Sequence, residues 1–346
     1  MTTMKKMRLG KTGLDVSRVG LGGIPLTRTP EIDIIPLIHR ALDLGINFID
    51  TALGYSTSEE RIGKGIAGRR DEVYIATKTP AMDAKTAEQH LSISLKKLNV
   101  NHIDIWQFHG VMSKQEWERI LSPDGAMTAM KNALKEGKIS HIGASSHNLE
   151  TTKLIIGSGE VETMMFPFNC LSQEYEELAA LAEKHDVGFL AMKPFAGGVL
   201  TDARIALGYI LSFPNVVPVP GMETIEKIEQ VVDLSENPHK LTEQDHLFIK
   251  TLKERLGSRY CRQCEYCMPC PQGVFIPGIL YLKRLYELWP PERYFDWSYV
   301  KQSVESASHC VKCGECEPKC LFRLPIREMI DESIVFHTRV VEEWNK

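Results

Sequence analysis

Val73-Tyr-Ile-Ala-Thr-Lys78, Thr86-Ala-Glu-Gln-His-Leu-Ser-Ile-Ser-Leu-Lys-Lys-Leu98 and Ile103-Asp-Ile-Trp-Gln-Phe-His109 follow one another closely in the chain. The first and third runs have the length and the β-branched and aromatic content of buried strands, and the middle one has helical apolar spacing. Strands joined by a helix pair in parallel, because the crossover returns the chain to the same edge. The same order extends in both directions. Candidate strands are Val19–Leu21, Phe48–Asp50, Val73–Lys78, Ile103–His109, His141–Ser145, Thr163–Phe166, Gly188–Met192 and Val216–Pro220. Candidate helices are Ile34–Leu44, Thr86–Leu98, Ala126–Glu136, Glu174–His185 and Thr224–Asp233. About eight strand–helix units between residues 18 and 235 imply an α/β fold closed into a (β/α)8 TIM barrel rather than an open doubly wound sheet. Leu9-Gly-Lys-Thr-Gly-Leu-Asp-Val16 precedes the first strand and reads as a hairpin that covers the bottom of the barrel, with Gly10 and Gly13 in turns.

The 346 residues exceed one average domain, and a hydrophobic share of 43% with a charged share of 25% is ordinary for a globular chain. A net charge of −4 gives no electrostatic reason to expect nucleic acid or an anionic membrane as partner. The N-terminal Met1-Thr-Thr-Met-Lys-Lys-Met7 has no apolar stretch behind it and does not read as a signal peptide, and no apolar run reaches spanning length. A cytoplasmic protein is expected. Thr242-x-x-Asp245 reads as a capping box opening a helix that ends near Gly257. Of nine cysteines, eight follow residue 260. Two domains are therefore expected: the barrel over 1–257, and a cysteine-rich, mainly helical module over 258–346.

On such a barrel, chemistry sits where strands end at the C-terminal face. Strand two ends in Asp50 with Tyr55 in the following loop, strand three ends in Lys78, and strand four in His109. Each has an ordinary alternative: Asp50 as a helix cap, Lys78 at the rim, His109 in the core. Together they form a coherent set. A phenol has a pKa of about 10, and a neighbouring ammonium favours the phenolate. A carboxylate holds that ammonium charged, and an imidazole across the mouth donates to a carbonyl oxygen. Such a set delivers a proton to an oxygen that becomes anionic as hydride arrives.

The stretch Asn47-Phe-Ile-Asp-Thr-Ala-Leu-Gly-Tyr-Ser56, with Ser58-Glu-Glu-Arg-Ile-Gly63, resembles the signature of the aldo-keto reductases. So do Ala76-Thr-Lys78, Ser94-Leu-Lys-Lys-Leu-Asn99 and Ile103-Asp-Ile-Trp-Gln-Phe-His109. The resemblance covers residues 7–235. It implies that Tyr55 is the general acid, that Lys78 and Asp50 tune it, and that His109 orients the substrate carbonyl. It also implies a nicotinamide cofactor bound extended across the barrel mouth. Val19-Gly-Leu-Gly-Gly-Ile24 lacks the third glycine of a Rossmann fingerprint. Gly22 and Gly23 are instead expected to let the first strand approach cofactor or substrate closely.

By the same resemblance, Ser145 and Ser146 grip the carboxamide, although Ser146 stands where asparagine is usual. Met192, in Met192-Lys193-Pro194, replaces an aromatic residue that stacks on the nicotinamide ring, and Met165 replaces a glutamine. Both methionines also read as barrel core. Gly221 and Lys227, at the start of the helix after strand eight, are expected at the adenosine phosphates. Lys227 takes the place of an arginine and favours NADP(H), with NAD as the alternative. His147, Trp106 and Phe195 are candidates for the substrate pocket.

The cysteine runs are Cys261-x-x-Cys264-x-x-Cys267-x-x-Cys270-Pro271 and Cys310-x-x-Cys313-x-x-Cys316-x-x-x-Cys320. The second has bacterial ferredoxin spacing, with Leu321 in the place of the usual proline, and both resemble ferredoxin segments that ligate 4Fe-4S clusters. In two-cluster ferredoxins the last cysteine of each run ligates the other run's cluster. The resemblance thus implies one cluster on Cys261, Cys264, Cys267 and Cys320, and a second on Cys310, Cys313, Cys316 and Cys270. Structural zinc is the rival reading of paired Cys-x-x-Cys. Cys170 reads as a small buried hydrophobe.

The function expected from these readings is NADP(H)-dependent, reversible reduction of an aldehyde or ketone to an alcohol, with accessory iron–sulfur clusters and a possible electron-transfer partner protein. The alternative is a redox sensor or electron-transfer protein whose barrel binds nicotinamide nucleotide with little turnover.

Overall fold

The computed structural model describes residues 4–27, 29–256, 259–263, 267–320 and 322–345. Two compact units divide the chain, Met1–Ile249 and Lys250–Lys346. The expected boundary at Gly257 lies outside the described residues.

The first unit begins with an antiparallel hairpin of β1 (Lys6–Arg8) and β2 (Asp15–Ser17), in which Met7 faces Val16. Eight parallel strands follow: β3 (Leu21–Gly22), β4 (Phe48–Asp50), β5 (Tyr74–Thr79), β6 (Ile103–Phe108), β7 (Ile139–Ser145), β8 (Thr163–Pro167), β9 (Gly188–Met192) and β10 (Val216–Pro218). Each pairs with its sequence neighbours. The ring closes where Gly20 N–H donates to Pro218 O (2.9 Å) and Gly22 N–H to Pro220 O (2.8 Å), with a parallel bridge from Gly22 to Gly221. The fold is a (β/α)8 barrel.

The connecting helices are α1 (Glu31–Asp43), α2 (Ser58–Gly65), α3 (Ala84–Leu98), α4 (Lys114–Leu121), α5 (Ala126–Lys135), α6 (Leu149–Ser158), α7 (Glu176–Lys184), α8 (Ala203–Leu211) and α9 (Ile225–Glu236). Several start on capping side chains that satisfy otherwise orphaned amides: Asp83, Ser113, Asn148, Asp202 and Thr224 each accept from an N–H of the first turn. The expected capping box is present, with Asp245 N–H donating to Thr242 Oγ1 and Thr242 N–H to Asp245 Oδ2. It opens α10 (Glu243–Leu256).

Inside the barrel, Phe48, Ala76, Ile105, Met165, Leu190, Val217 and Val219 pack with Leu9 and Val16 of the hairpin. The hairpin is therefore part of the core. Gly10 holds φ +50°, and a Cβ there would stand 2.2 Å from Gly188 N, so only glycine lets the turn press against the start of β9. Met165, read both as a cofactor contact and as core, is 2% exposed and belongs to this cluster.

The second unit is helical: α11 (Ile276–Leu280), α12 (Leu282–Leu288), α13 (Pro291–Asp296), α14 (Ser298–Ala307), α15 (Cys316–Lys319) and α16 (Ile326–Trp344). Its own core gathers Ile276, Ile279, Leu282, Tyr294, Ile326 and Ile330, together with Cys267 and Cys320. Among the described residues no helix is long and apolar enough to cross a membrane.

Leu9 is fully buried between the hairpin and the barrel interior. Leu9→Ala should cost about 3 kcal/mol of barrel stability, read as a lower denaturant midpoint; an unchanged midpoint would show that the hairpin does not belong to the core.

Candidate active site and cysteine module

The C-terminal ends of β4, β5 and β6 place three of the expected residues, and the loop after β4 returns the fourth. Lys78 Nζ donates to Asp50 Oδ1 at 2.5 Å and to Thr51 O at 2.7 Å, and the lysine is 1% exposed. The other carboxylate oxygen, Asp50 Oδ2, accepts from Gln107 Nε2 at 3.0 Å. Both oxygens of Asp50 thus accept from a donor, as a carboxylate does, and the pair is ammonium and carboxylate. Burial opposes charge on Lys78, yet the lysine stands above its ordinary range, and Asp50 is the foremost group that raises it.

The Tyr55 ring lies 5.2 Å from Lys78 Nζ and meets the His109 ring edge to face at 5.6 Å. The structure therefore brings all four residues together. Burial raises the Tyr55 pKa while Lys78 pulls it down, and the net direction is upward. Sequence reasoning weighed only the ammonium; desolvation of the phenol is the larger effect, and it keeps the proton on Tyr55 at neutral pH. Burial first and Lys78 second push His109 down to about 3, so its imidazole is neutral. His147 is likewise held well below its ordinary value by burial, Lys193 and His109.

Gln107 was not anticipated. It lies two residues before His109, so strand alternation turns it into the barrel, where it holds Asp50. Its Oε1 has no hydrogen-bond partner among the described residues. The same alternation corrects Trp106: Ile105 and Gln107 face inward, so Trp106 points to the outer layer, fully buried, and cannot line a pocket at the mouth.

The residues expected at the cofactor are placed as follows. A Cβ on Gly22 would meet Pro220 O at 3.0 Å, and one on Gly23 would meet Ser58 Oγ at 2.7 Å and Asp50 O at 2.9 Å. The close approach these glycines permit in the structure is between barrel segments. Ser145 Oγ accepts from Gly110 N–H and donates to Phe108 O, while Ser146 Oγ accepts from Asn148 N–H. Met192 ends β9 half-buried, against the interior cluster. Lys193 follows with φ +54°, and its carbonyl accepts from Asn169 Nδ2. Gly221 joins the barrel closure. Lys227, in the first turn of α9, is exposed and pairs with Glu223 at 2.5 Å.

In the helical unit, Cys270, Cys310, Cys313 and Cys316 line one pocket, with Cys267 also at its wall. They are the three leading cysteines of the second run and the last of the first. Cys267 and Cys320 are buried and Cys261 half-buried. Cys264 and Leu321 lie outside the described residues. Among the described residues no three cysteine, histidine or acidic side chains are gathered tightly enough for a single metal ion. Cys170 is fully buried in the barrel unit.

The barrel, with a buried acid–base set at the C-terminal ends of neighbouring strands, defines an oxidoreductase. An aldo/keto reductase family model matches residues 18–205, and the chain belongs to that family. A 4Fe-4S dicluster domain matches residues 260–325. An uncharacterized oxidoreductase of Bacillus subtilis, YqkF, is 30% identical over 213 residues, covering 58% of this chain and 67% of the relative. The aldo-keto reductase YhdN of the same organism is 32% identical over 220 residues, covering 57% of this chain. The chain spans 64% of the length of YhdN. An aldo-keto reductase from Klebsiella pneumoniae, solved in complex with NADPH, superposes with a TM-score of 0.61 at 20% identity, over 73% of this chain and 96% of that one.

The depressed His109 pKa carries a stability consequence. The unfolded imidazole takes a proton below about pH 6.5, and the folded one does not until about 3. The unfolded state therefore binds more protons across that window, and stability decreases as the pH is lowered, by up to about 1.4 kcal/mol per pH unit for this group. Proton NMR of His109 should show no imidazole titration between pH 8 and 5; an inflection near 6.5 would contradict its neutral assignment.

Proposed function

We propose that the protein is an NADP(H)-dependent carbonyl reductase that reversibly converts an aldehyde or ketone to the alcohol. The observation that carries this reading is the contact of Lys78 with Asp50 beneath the Tyr55 ring, with His109 against the ring's edge. Gly22, Gly23, Ser145, Ser146, Met192, Lys193, Gly221 and Lys227 would hold the nucleotide. The N-terminus of α9 suits a phosphate, and Lys227, paired with Glu223 in the structure, would exchange that partner for it. The cation of Lys227 favours NADP(H) over NAD. When bound, the nicotinamide supplies the hydride.

The chain's own residues supply the rest. The neutral His109 donates a hydrogen bond to the substrate carbonyl oxygen and aligns it with the Tyr55 hydroxyl. Tyr55 holds its proton at that hydroxyl through neutral pH and releases it as the oxygen gains charge. Lys78, kept cationic by Asp50, stabilises the phenolate left behind. In the reverse direction the phenolate takes the alcohol proton back.

We further propose that the cysteines hold two 4Fe-4S clusters, one on Cys261, Cys264, Cys267 and Cys320, the other on Cys270, Cys310, Cys313 and Cys316. The shared pocket of the second set supports this assignment. Held there, such clusters would supply one-electron chemistry and would suit exchange with an electron-transfer protein. A small carbonyl or alcohol substrate and a cytoplasmic location complete the reading, with neither nucleic acid nor membrane as partner.

Tyr55→Phe should lower NADPH-dependent turnover of a reactive aldehyde about 10²- to 10⁴-fold while NADPH binding, followed by fluorescence, is retained. Normal turnover in that variant would overturn the mechanism. Protein purified without oxygen should carry about eight iron atoms per chain. Bound zinc without iron would reject the cluster assignment.

A further inference from the structure

Beside the loop Cys310–Cys316 stands a charged pair, Glu317 and Arg327, that the carbonyl chemistry does not use. Lys312 holds φ +56° and Gly314 φ +82°, so the chain turns sharply between Cys310 and Cys316. Arg327, in the first turn of α16, reaches over this turn. A Cβ on Gly314 would stand 3.4 Å from the guanidinium carbon and 3.5 Å from Nη1. The cation therefore lies against the backbone of Gly314, between Cys313 and Cys316.

The guanidinium is fixed from behind. Glu317, next to Cys316, accepts Arg327 Nη2 at 2.7 Å on one oxygen and the Arg327 backbone N–H at 3.1 Å on the other. Arg327 also lines the pocket that Cys270, Cys310, Cys313 and Cys316 share.

An electron added to a cluster makes it more negative. A fixed cation stabilises the reduced state and a fixed anion destabilises it, and net charge around a cluster is one of the levers on its potential. We propose that Arg327 and Glu317 are opposed tuning charges for the cluster of Cys270, Cys310, Cys313 and Cys316, the first raising and the second lowering its reduction potential. The inference rests on the cluster reading above. It assigns Arg327 the closer position, against the Gly314 backbone, and gives the two clusters separate potentials. Both side chains are partly exposed, at 46% and 25%, so solvent screens the effect to a moderate shift. That exposure also lets either charge be removed without emptying the core.

The test is a redox titration of the anaerobic holoprotein followed by electron paramagnetic resonance. Arg327→Gln should move one of the two cluster signals to lower potential, and Glu317→Gln should move the same signal to higher potential. A several-fold change in the reduced-to-oxidised ratio at fixed poise is expected in each case; tenfold would equal about 59 mV for one electron. Arg327→Lys should stay near the wild-type value. If Arg327→Gln cannot retain iron, the opposite sign in Glu317→Gln and the rescue in Arg327→Lys decide the matter. Unchanged potentials in all variants, or equal shifts in both clusters, would overturn the tuning role. A wild-type protein without cluster signals would overturn the cluster reading itself, a result separable from the first.

Discussion

An amine buried to 1% exposure is tolerable only if its charge is answered, and in this barrel Asp50 answers it. Breaking such a pair from one side typically costs 3–5 kcal/mol, because the remaining charge stays out of water. The pair therefore ties the candidate site to the stability of β4 and β5. It also fixes where chemistry can occur. The Tyr55 ring lies over Lys78, carried there by the loop that leaves β4 immediately after Asp50. Parallel pairing sets Asp50 opposite Ala76 and Lys78 opposite Gln107, so Lys78 and Gln107 stand side by side two residues further along and both reach Asp50.

Much of this was legible in the sequence because strand ends carry their own chemistry. Phe48–Asp50 and Gly188–Met192 are the strands read from pattern, and the other six differ by a few residues at their ends. Four connecting helices were not read. In α2, Ser58-Glu-Glu-Arg-Ile-Gly-Lys-Gly65 is too polar and glycine-rich to show an apolar stripe, and α8 is apolar nearly all round, which hides its period. Gln107 and Trp106 are neighbours whose roles exchange under strict alternation: the polar one faces the barrel and holds Asp50, and the aromatic one packs outside. The signal that locates Gln107 was present, two residues from His109 on the same strand. Desolvation of Tyr55 was not legible, because it depends on how the loop folds back over Lys78.

The cysteine module shows the same division. Ligand type and spacing are written in the two runs, and the pocket joining Cys270 to Cys310, Cys313 and Cys316 gathers what sequence alone could only align. The opposed charges of Glu317 and Arg327 are ten residues apart, on different helices, and no periodicity connects them. They meet because the Glu317 carboxylate accepts both the guanidinium and the backbone N–H of Arg327 at the start of α16. Hydride chemistry moves two electrons and a cubane one, so the proposed carbonyl reduction and the proposed clusters would be separate redox tasks.

In the proposed reaction hydride passes to a carbonyl carbon while the chain delivers the proton. Turnover of an aldehyde with NADPH carrying deuterium at the transferred position of the nicotinamide tests it most directly. Deuterium should appear on the carbon that bears the new hydroxyl, one atom per alcohol formed. NADPH consumed without alcohol, with the electrons recovered in the iron–sulfur module, would contradict the account.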